Sequence, residues 1–133
     1  MTLEFFMAMD PPTVTQQEHK VTVRNGKPVF YDPPELKTAR SKLIGHLGKH
    51  VPDRNLDGPV ELLVKWAFPA TESNKKNSWR ITKPDTDNLQ KLLKDCMTRC
   101  GFWKDDAVVC REIVEKFWYE PPGIYIRITE LEE

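Results

Sequence analysis

The sequence has no long hydrophobic run, little cysteine and no net charge, and each shortage removes a class of protein. No apolar stretch in its 133 residues approaches the roughly 20 residues that span a bilayer, so no membrane role is indicated. The first ten residues lack a basic start and carry an acid in their apolar run, which is untypical of a signal peptide, and we expect a cytoplasmic protein. Three cysteines, an odd number, indicate reduced thiols rather than a disulfide framework.

Charge is balanced overall but not locally. Lysine and arginine together number 20, as do aspartate and glutamate, so the bulk charge favours no particular partner. Residues 71–84 are basic, with Glu72 as the one acid among four cations. These cations are Lys75, Lys76, Arg80 and Lys83. Such a cluster is suited to phosphate groups, and a solvated surface loop explains it equally well. Trp79 is the large apolar residue of this loop.

The length predicts a single domain over residues 1–133, and the patterning predicts an α/β fold of the α+β type. We expect a mixed, mostly antiparallel sheet with two main helices and an N-terminal β-hairpin. Asn25 and Gly26 form a typical hairpin turn, with His19, Lys20, Arg24 and Lys27 on or near its strands. The predicted strands are residues 3–9, 21–24, 28–31, 60–68, 108–119 and 123–131.

Both helices have recognisable ends. In the first, Asp32 precedes two prolines as an N-cap, and apolar residues then recur every three or four positions to Leu47. The second follows Asp87, buries one apolar face that includes Cys96 and Cys100, and ends at Gly101 as a C-cap. His46 and His50 stand four residues apart, but without a nearby carboxylate or cysteine we interpret them as ordinary histidines near a helix end.

Asp85 and Asp87 form the outline of a divalent-metal site. They converge only if the chain before the helix is extended, and Pro84 favours that geometry. Two carboxylates about 4 Å apart repel by roughly 4 kcal/mol at an effective dielectric of about 20, so a cation must offset them. Oxygen ligands of this kind suit Mg²⁺ or Mn²⁺. The alternative is that both aspartates only cap the helix, and that Asp105 and Asp106 only form a turn.

Two stretches together resemble the signature of the RusA family of Holliday junction resolvases, which is common in bacterial prophages. They are Asp-Thr-Asp-Asn-Leu-Gln-Lys at residues 85–91 and Gly-Phe-Trp-Lys-Asp-Asp-Ala-Val-Val at residues 101–109. The Asp-Pro-Pro at residues 10–12 and the stretch from Gly26 to Leu36 also resemble bacterial members. The resemblance therefore covers most of the chain and is most specific over residues 83–109.

The resemblance implies a homodimeric, Mg²⁺-dependent endonuclease, with Mn²⁺ as a substitute metal. Such an enzyme acts in DNA recombination and repair and cuts four-way junctions with paired symmetric nicks. By position, Asp85, Asp87 and Asp106 match the family's catalytic, metal-binding aspartates, and Lys91 matches its functional lysine. Asp105 falls on an adjoining acidic position and is an additional candidate ligand. The chain lacks the family's basic overall character, which leaves the location of its DNA surface open.

For an enzyme of this kind, the basic loop is the candidate DNA-binding segment. Its cations Lys75, Lys76, Arg80 and Lys83 would then meet DNA phosphates. Trp79 either stacks on unpaired bases at the junction centre or anchors the loop to the core.

The distance between the two halves of this signature raises a question. A helix over residues 88–100 is about 20 Å long, and six extended residues reach back about that far. Asp106 therefore reaches Asp87 within one chain only if residues 101–106 run straight back, which we expect; otherwise an exchanged dimer supplies it in trans. Phe102 and Trp103 could wedge DNA, but their place after a helix end favours core packing.

Two alternatives to a junction resolvase remain. One is a metal-dependent nuclease that uses the same residues on flaps or other branched DNA. The other is a catalytically silent DNA-binding accessory protein that keeps the fold, and the intact Asp85, Asp87, Lys91 and Asp106 argue against it.

Overall fold

A four-stranded mixed sheet carries two helices in the computed structural model, which describes residues 1–15 and 20–132. Its strands are β1 (Thr2–Met7), β4 (Val60–Pro69), β5 (Val109–Tyr119) and β6 (Gly123–Glu130). Their order is β1-β6-β4-β5, with β4 and β5 parallel and the other neighbours antiparallel. The predicted α+β fold, a mixed and mostly antiparallel sheet with two helices, is confirmed.

A separate hairpin of β2 (Lys20–Arg24) and β3 (Lys27–Tyr31) projects from this body. Asn25 and Gly26 both have positive φ, 52° and 74°, as a two-residue hairpin turn of type I′ requires. The hairpin is thus confirmed, and His19, which we expected near it, lies outside the described residues. Val21 and Val23 are exposed, so the hairpin buries little apolar surface on the rest of the fold.

Alternation along the central strand β4 decides which face of the sheet is buried. Val60, Leu62, Val64, Trp66 and Phe68 are completely buried, as period-two patterning requires. They join one hydrophobic core with residues of both helices and of β1 and β6. The opposite face carries charge: Glu61 of β4 pairs with Arg111 and Arg127 on the neighbouring strands. The helices therefore cover a single face of the sheet.

Helix α1 (Pro34–Leu47) begins one residue later than we expected, and the predicted cap by Asp32 is wrong. Pro33 occupies the N-cap position with extended geometry, and no side chain caps the helix. The Asp32 carboxylate instead accepts a hydrogen bond of 2.8 Å from Arg40. Two consecutive prolines keep the chain extended for longer, because the residue before a proline is disfavoured in helical geometry.

Helix α2 (Thr86–Cys100) has the predicted apolar face, and Gly101 ends it in left-handed geometry with φ 94°. As predicted, Cys96 and Cys100 lie on that face, where Cys96 is buried and Cys100 is half-buried, and neither forms a disulfide. His50 stacks on Phe5 with ring centroids 4.2 Å apart, a packing role. In the described part of the chain, neither helix has the length and hydropathy of a membrane span.

Candidate metal centre and DNA-binding surface

The start of α2 presents two carboxylates to solvent. Asp85 is the N-cap residue, with the extended backbone (φ −71°, ψ 151°) that Pro84 favours, and Asp87 lies in the first turn. Although Asp85 occupies the cap position, its side chain makes no capping hydrogen bond, and only its backbone oxygen accepts from Leu89. The alternative that Asp85 only caps the helix therefore does not account for its carboxylate, which makes no capping hydrogen bond.

Burial of two aromatic rings brings Asp106 back along α2. Phe102 and Trp103 are 0% and 1% exposed, which confirms that they are core residues. The Trp103 indole donates a 2.8 Å hydrogen bond to the hydroxyl of Thr98, which lies in the last turn of α2. The chain therefore folds back beside the helix while it buries both rings. Asp106 then begins a short 3-10 helix, Asp106–Val108.

One open cleft of about 460 Å³ holds three of the predicted catalytic residues: Asp87, Lys91 and Asp106. Thr86, Gln90 and Lys94 of α2 complete one wall, and Glu112 and Val114 of β5 complete the other. Lys91 lies one helical turn after Asp87, and the described residues include no ion pair between them. All of these residues belong to one chain, so Asp106 shares a cleft with Asp87 without exchange between protomers.

A second hollow of about 500 Å³ lies on the other side of Asp87. Asp85, Asp87 and Lys83 line it, together with Asn88 and the threonines Thr13 and Thr15. Thr15 is almost completely buried, with 3% of its surface exposed. Asp87 is therefore common to both hollows, with Asp85 on one side and Asp106 on the other.

The donors present fit a magnesium ion held by few protein ligands. Within residues 1–15 and 20–132, no three carboxylate, histidine or cysteine side chains are close enough together to hold a metal ion. Mg²⁺ keeps several waters and is commonly bound by one or two carboxylates plus the phosphates of a substrate. Asp87, with one neighbouring aspartate, supplies that number.

Asp105 behaves as the turn alternative describes. Its carboxylate accepts a 2.9 Å hydrogen bond from the backbone of Ala107 and caps the 3-10 helix. One of its oxygens is therefore engaged, whereas Asp106 faces the cleft.

The sequence did not indicate a buried hydrogen-bond chain that forms the floor of the cleft. Gln90, 4% exposed, accepts a 2.8 Å hydrogen bond from the Trp66 indole and donates one of 2.7 Å to Glu112. Glu112 also forms a 3.1 Å ion pair with Lys94. Gln90 stands three residues after Asp87, beside the apolar positions of the helix. A polar residue at such a position was the sequence feature that could have indicated a buried hydrogen bond. No sequence feature near Glu112 indicated that it belongs to this hydrogen-bond chain.

The basic loop contains several exposed residues and one residue, Arg80, that supports the loop from within. Lys75 and Lys83 are exposed, and Lys76 places its ammonium 4.7 Å from the ring centre of Tyr119. Trp79 is 65% exposed and contacts Phe117 at its edge. The indole face of Trp79 is therefore open to solvent and is not buried in the core.

Arg80 supports the basic loop through contacts with two aromatic rings and one backbone oxygen. Its guanidinium lies 4.2 Å and 4.5 Å from the ring centres of Phe68 and Trp118, and it donates to the backbone oxygen of Lys83. Burial lowers the pKa of Arg80. Its donors are thus partly engaged inside the loop, unlike those of the neighbouring lysines.

Comparison with known proteins decides the family. The model of the family described as endodeoxyribonuclease RusA matches residues 10–129, nearly the whole chain and both halves of the signature. The chain belongs to the RusA family of endodeoxyribonucleases. RusA proteins hydrolyse phosphodiester bonds in DNA, and nucleases of this kind depend on divalent metal. The resemblance noted from residues 85–91 and 101–109 is confirmed, and an enzyme is favoured over a silent accessory protein.

Two relatives align with most of the chain. The crossover junction endodeoxyribonuclease rusA of Lactococcus phage r1t is 30% identical over 135 aligned residues, which include 98% of this chain and all of the relative. YqaN of Bacillus subtilis (strain 168), described as an uncharacterized protein, is 31% identical over 129 residues, 89% of this chain and 90% of the relative.

Proposed function

We propose that the protein resolves four-way DNA junctions as a Mg²⁺-dependent homodimeric endonuclease that makes paired symmetric nicks in recombination and repair. The observation that carries this proposal is the single cleft in which Asp87, Lys91 and Asp106 meet, in a chain of the RusA family. The phage relative, whose full length aligns with 98% of this chain, is named a crossover junction endodeoxyribonuclease. Because its substrate is DNA, we expect the protein to act in the cytoplasm of a bacterial or phage-infected cell.

Asp87 is the central metal ligand in this proposal, because it borders both hollows. Asp106 lies beside it in one hollow and Asp85 in the other, so each would pair with Asp87 for one ion. Asp105 is the weaker candidate because its carboxylate is engaged in a turn. A bound Mg²⁺, or Mn²⁺ in its place, would acidify a coordinated water and offset the charge that develops on the phosphate.

Lys91 binds the scissile phosphate or neutralises the leaving oxygen. Lys91 lines the cleft together with Asp87 and Asp106. A DNA phosphate bound in this cleft would bring negative charge, which the lysine ammonium would offset. Lys91→Ala should therefore slow junction cleavage at saturating Mg²⁺, whereas Lys37→Ala, at an exposed position of α1, should not. Normal cleavage by Lys91→Ala would remove this role.

The DNA surface runs from the cleft onto the basic loop. Lys75, Lys76 and Lys83 contact phosphates, and Trp79 stacks on unpaired bases at the junction centre, since its ring is exposed. Arg80 acts chiefly as a support for the loop because its guanidinium is stacked and hydrogen-bonded. A fluorescent base at the branch point should lose its quenching in Trp79→Ala. An unchanged signal would argue against stacking there.

A two-fold dimer matches the pseudo-symmetry of a four-way junction and gives two matched cuts. Because Asp87 and Asp106 share a cleft within one chain, each protomer carries a complete site. Mixed dimers of Asp87→Asn and Asp106→Asn chains should stay inactive, since every site then has one defect. Recovered cleavage in the mixture would demonstrate assembly in trans.

A nuclease for flaps or other branched DNA would use the same cleft, so only the preferred substrate distinguishes it from a junction resolvase. We expect Mg²⁺-dependent cutting of a synthetic four-way junction to exceed cutting of a flap and of linear duplex. A preference for the flap would replace the junction by that substrate. Absence of Mg²⁺-dependent cutting of all three would refute the proposed function.

A further inference from the structure

We propose that Lys116 and Arg80 form a clamp on the three backbone carbonyls before Asp85, and that this clamp positions Asp85 in the active site. The inference rests on the proposed function, because it assigns a purpose to the position of Asp85. Lys116 lies on β5, outside the signature, and acts here as a positioning residue that reaches the chemistry through Asp85.

The clamp consists of hydrogen bonds from two cations to three consecutive carbonyls. The Lys116 ammonium donates to the backbone oxygen of Thr82 at 2.6 Å and to that of Pro84 at 2.7 Å. The guanidinium of Arg80 donates to the oxygen between them, that of Lys83, through Nε at 3.1 Å and through Nη2. Every carbonyl of residues 82–84 therefore accepts from a cation. Asp85 is the next residue.

The two cations are themselves held in place. The Arg80 guanidinium lies against the rings of Phe68 and Trp118, neighbours in the register of β4 and β5. The backbone N–H of Arg80 donates to the oxygen of Lys116 at 3.2 Å, and that of Trp118 donates to Ser78 at 2.9 Å. Both cations are thus fixed to the sheet, and the loop takes its position from the sheet.

Electrostatics supports a structural role for these charges. Burial, and next the charge of Arg80, lower the pKa of Lys116, whereas Asp85 acts in the opposite direction. A lysine that gives up hydration gains here two charge-assisted hydrogen bonds to carbonyls, which are stronger than neutral ones. Thr82 and Lys83 are exposed, so this segment has little hydrophobic contact of its own to hold it, apart from the buried Pro84.

Loss of the clamp should misplace Asp85 without removing the DNA surface. We compare Lys116→Met, which keeps the aliphatic stem, with Lys65→Met, which removes a surface lysine of β4. At saturating junction, Lys116→Met should lower the cleavage rate about 10- to 100-fold, the effect typical of a displacement near 1 Å, and raise the half-saturating Mg²⁺ concentration. Junction binding without metal should change less than threefold. Lys65→Met should match the wild type, and Lys116→Arg should recover part of the rate.

Two results would overturn the clamp. One is a Lys116→Met rate within twofold of the wild type at every Mg²⁺ concentration. The other is weakened junction binding with an unchanged saturated rate, which would make Lys116 a phosphate contact instead.

Hydrogen–deuterium exchange tests the clamp independently of activity. Lys116→Met should exchange faster over residues 78–89 and unchanged over residues 92–100, a contrast that also shows the variant to be folded. Equal exchange over residues 78–89 would refute the clamp. If the wild type cuts no DNA, the proposed function fails, and the exchange result still decides whether Lys116 holds this loop.

Discussion

Gln90 gives the clearest energetic prediction, because both ends of its buried amide are engaged. In Gln90→Leu the Trp66 indole N–H loses its 2.8 Å acceptor inside the core, and Glu112 loses a donor at the edge of the cleft. A buried donor left without a partner costs about 1–3 kcal/mol. The Glu112 loss adds little, because this carboxylate is partly exposed and keeps Lys94.

We therefore expect Gln90→Leu to lower the free energy of unfolding by about 2 kcal/mol. A domain of 133 residues has an unfolding entropy of about 0.28 kcal/mol/K, so Tm should fall by about 7 °C. Differential scanning calorimetry measures the shift, and urea unfolding with an unchanged m-value confirms that stability alone has changed.

A double-mutant cycle isolates the cause. In Trp66→Phe the indole N–H is gone, so adding Gln90→Leu should cost at least 1 kcal/mol less than in the wild type, which is about the size of coupling seen between contacting residues. Lys91→Met, at the next and exposed helix position, should leave Tm within about 2 °C, as surface substitutions usually do. A Tm unchanged in Gln90→Leu, or full additivity with Trp66→Phe, would refute the chain of hydrogen bonds from core to cleft.

Three further predictions test other parts of the account. Gly123→Ala should destabilise the fold by about 1–3 kcal/mol in urea, because its Cβ would come within 2.0 Å of the Phe6 ring; an unchanged midpoint would contradict this packing of β1 on β6. Cys110, which is exposed, should react first with a thiol reagent at pH 8, whereas Cys96, whose pKa burial raises to about 11, should react only on unfolding; a fast phase that survives in Cys110→Ser would be inconsistent. Lys75→Ala should flatten the plot of log binding constant against log salt by about 0.9, and an unchanged slope would place DNA elsewhere.

Local patterns predicted most elements of this fold. The Asn25-Gly26 turn, the apolar face of α2 and the Gly101 cap each depend on neighbours in sequence, and all three were right. The predicted helix cap by Asp32 was wrong because Pro33 takes the N-cap position, and Arg40, eight residues after Asp32, binds the freed carboxylate. The parallel pairing of β4 and β5 could not be predicted, since it joins segments some 50 residues apart.

The candidate site shows the same division. Asp85, Asp87, Lys91 and Asp106 lie in two short signatures, and sequence alone selected them. The contacts of Gln90, Glu112 and Lys116 are formed only in the tertiary structure, where β5 lies against the start of α2. Arg80 matched a phosphate-binding pattern by charge, yet its guanidinium is held by two rings from different strands. Charge along a sequence does not distinguish a ligand contact from an internal support.

Cleavage of a synthetic four-way junction by the wild type and by Asp87→Asn, with and without Mg²⁺, tests the central claim most directly. The wild type should cut only with the metal. Asp87→Asn should lose about a thousandfold or more in rate, the effect of losing several kcal/mol of transition-state stabilisation, and should bind the junction at least as tightly because a negative charge is gone. Cutting by Asp87→Asn at the wild-type rate, or by the wild type without divalent metal, would contradict the account.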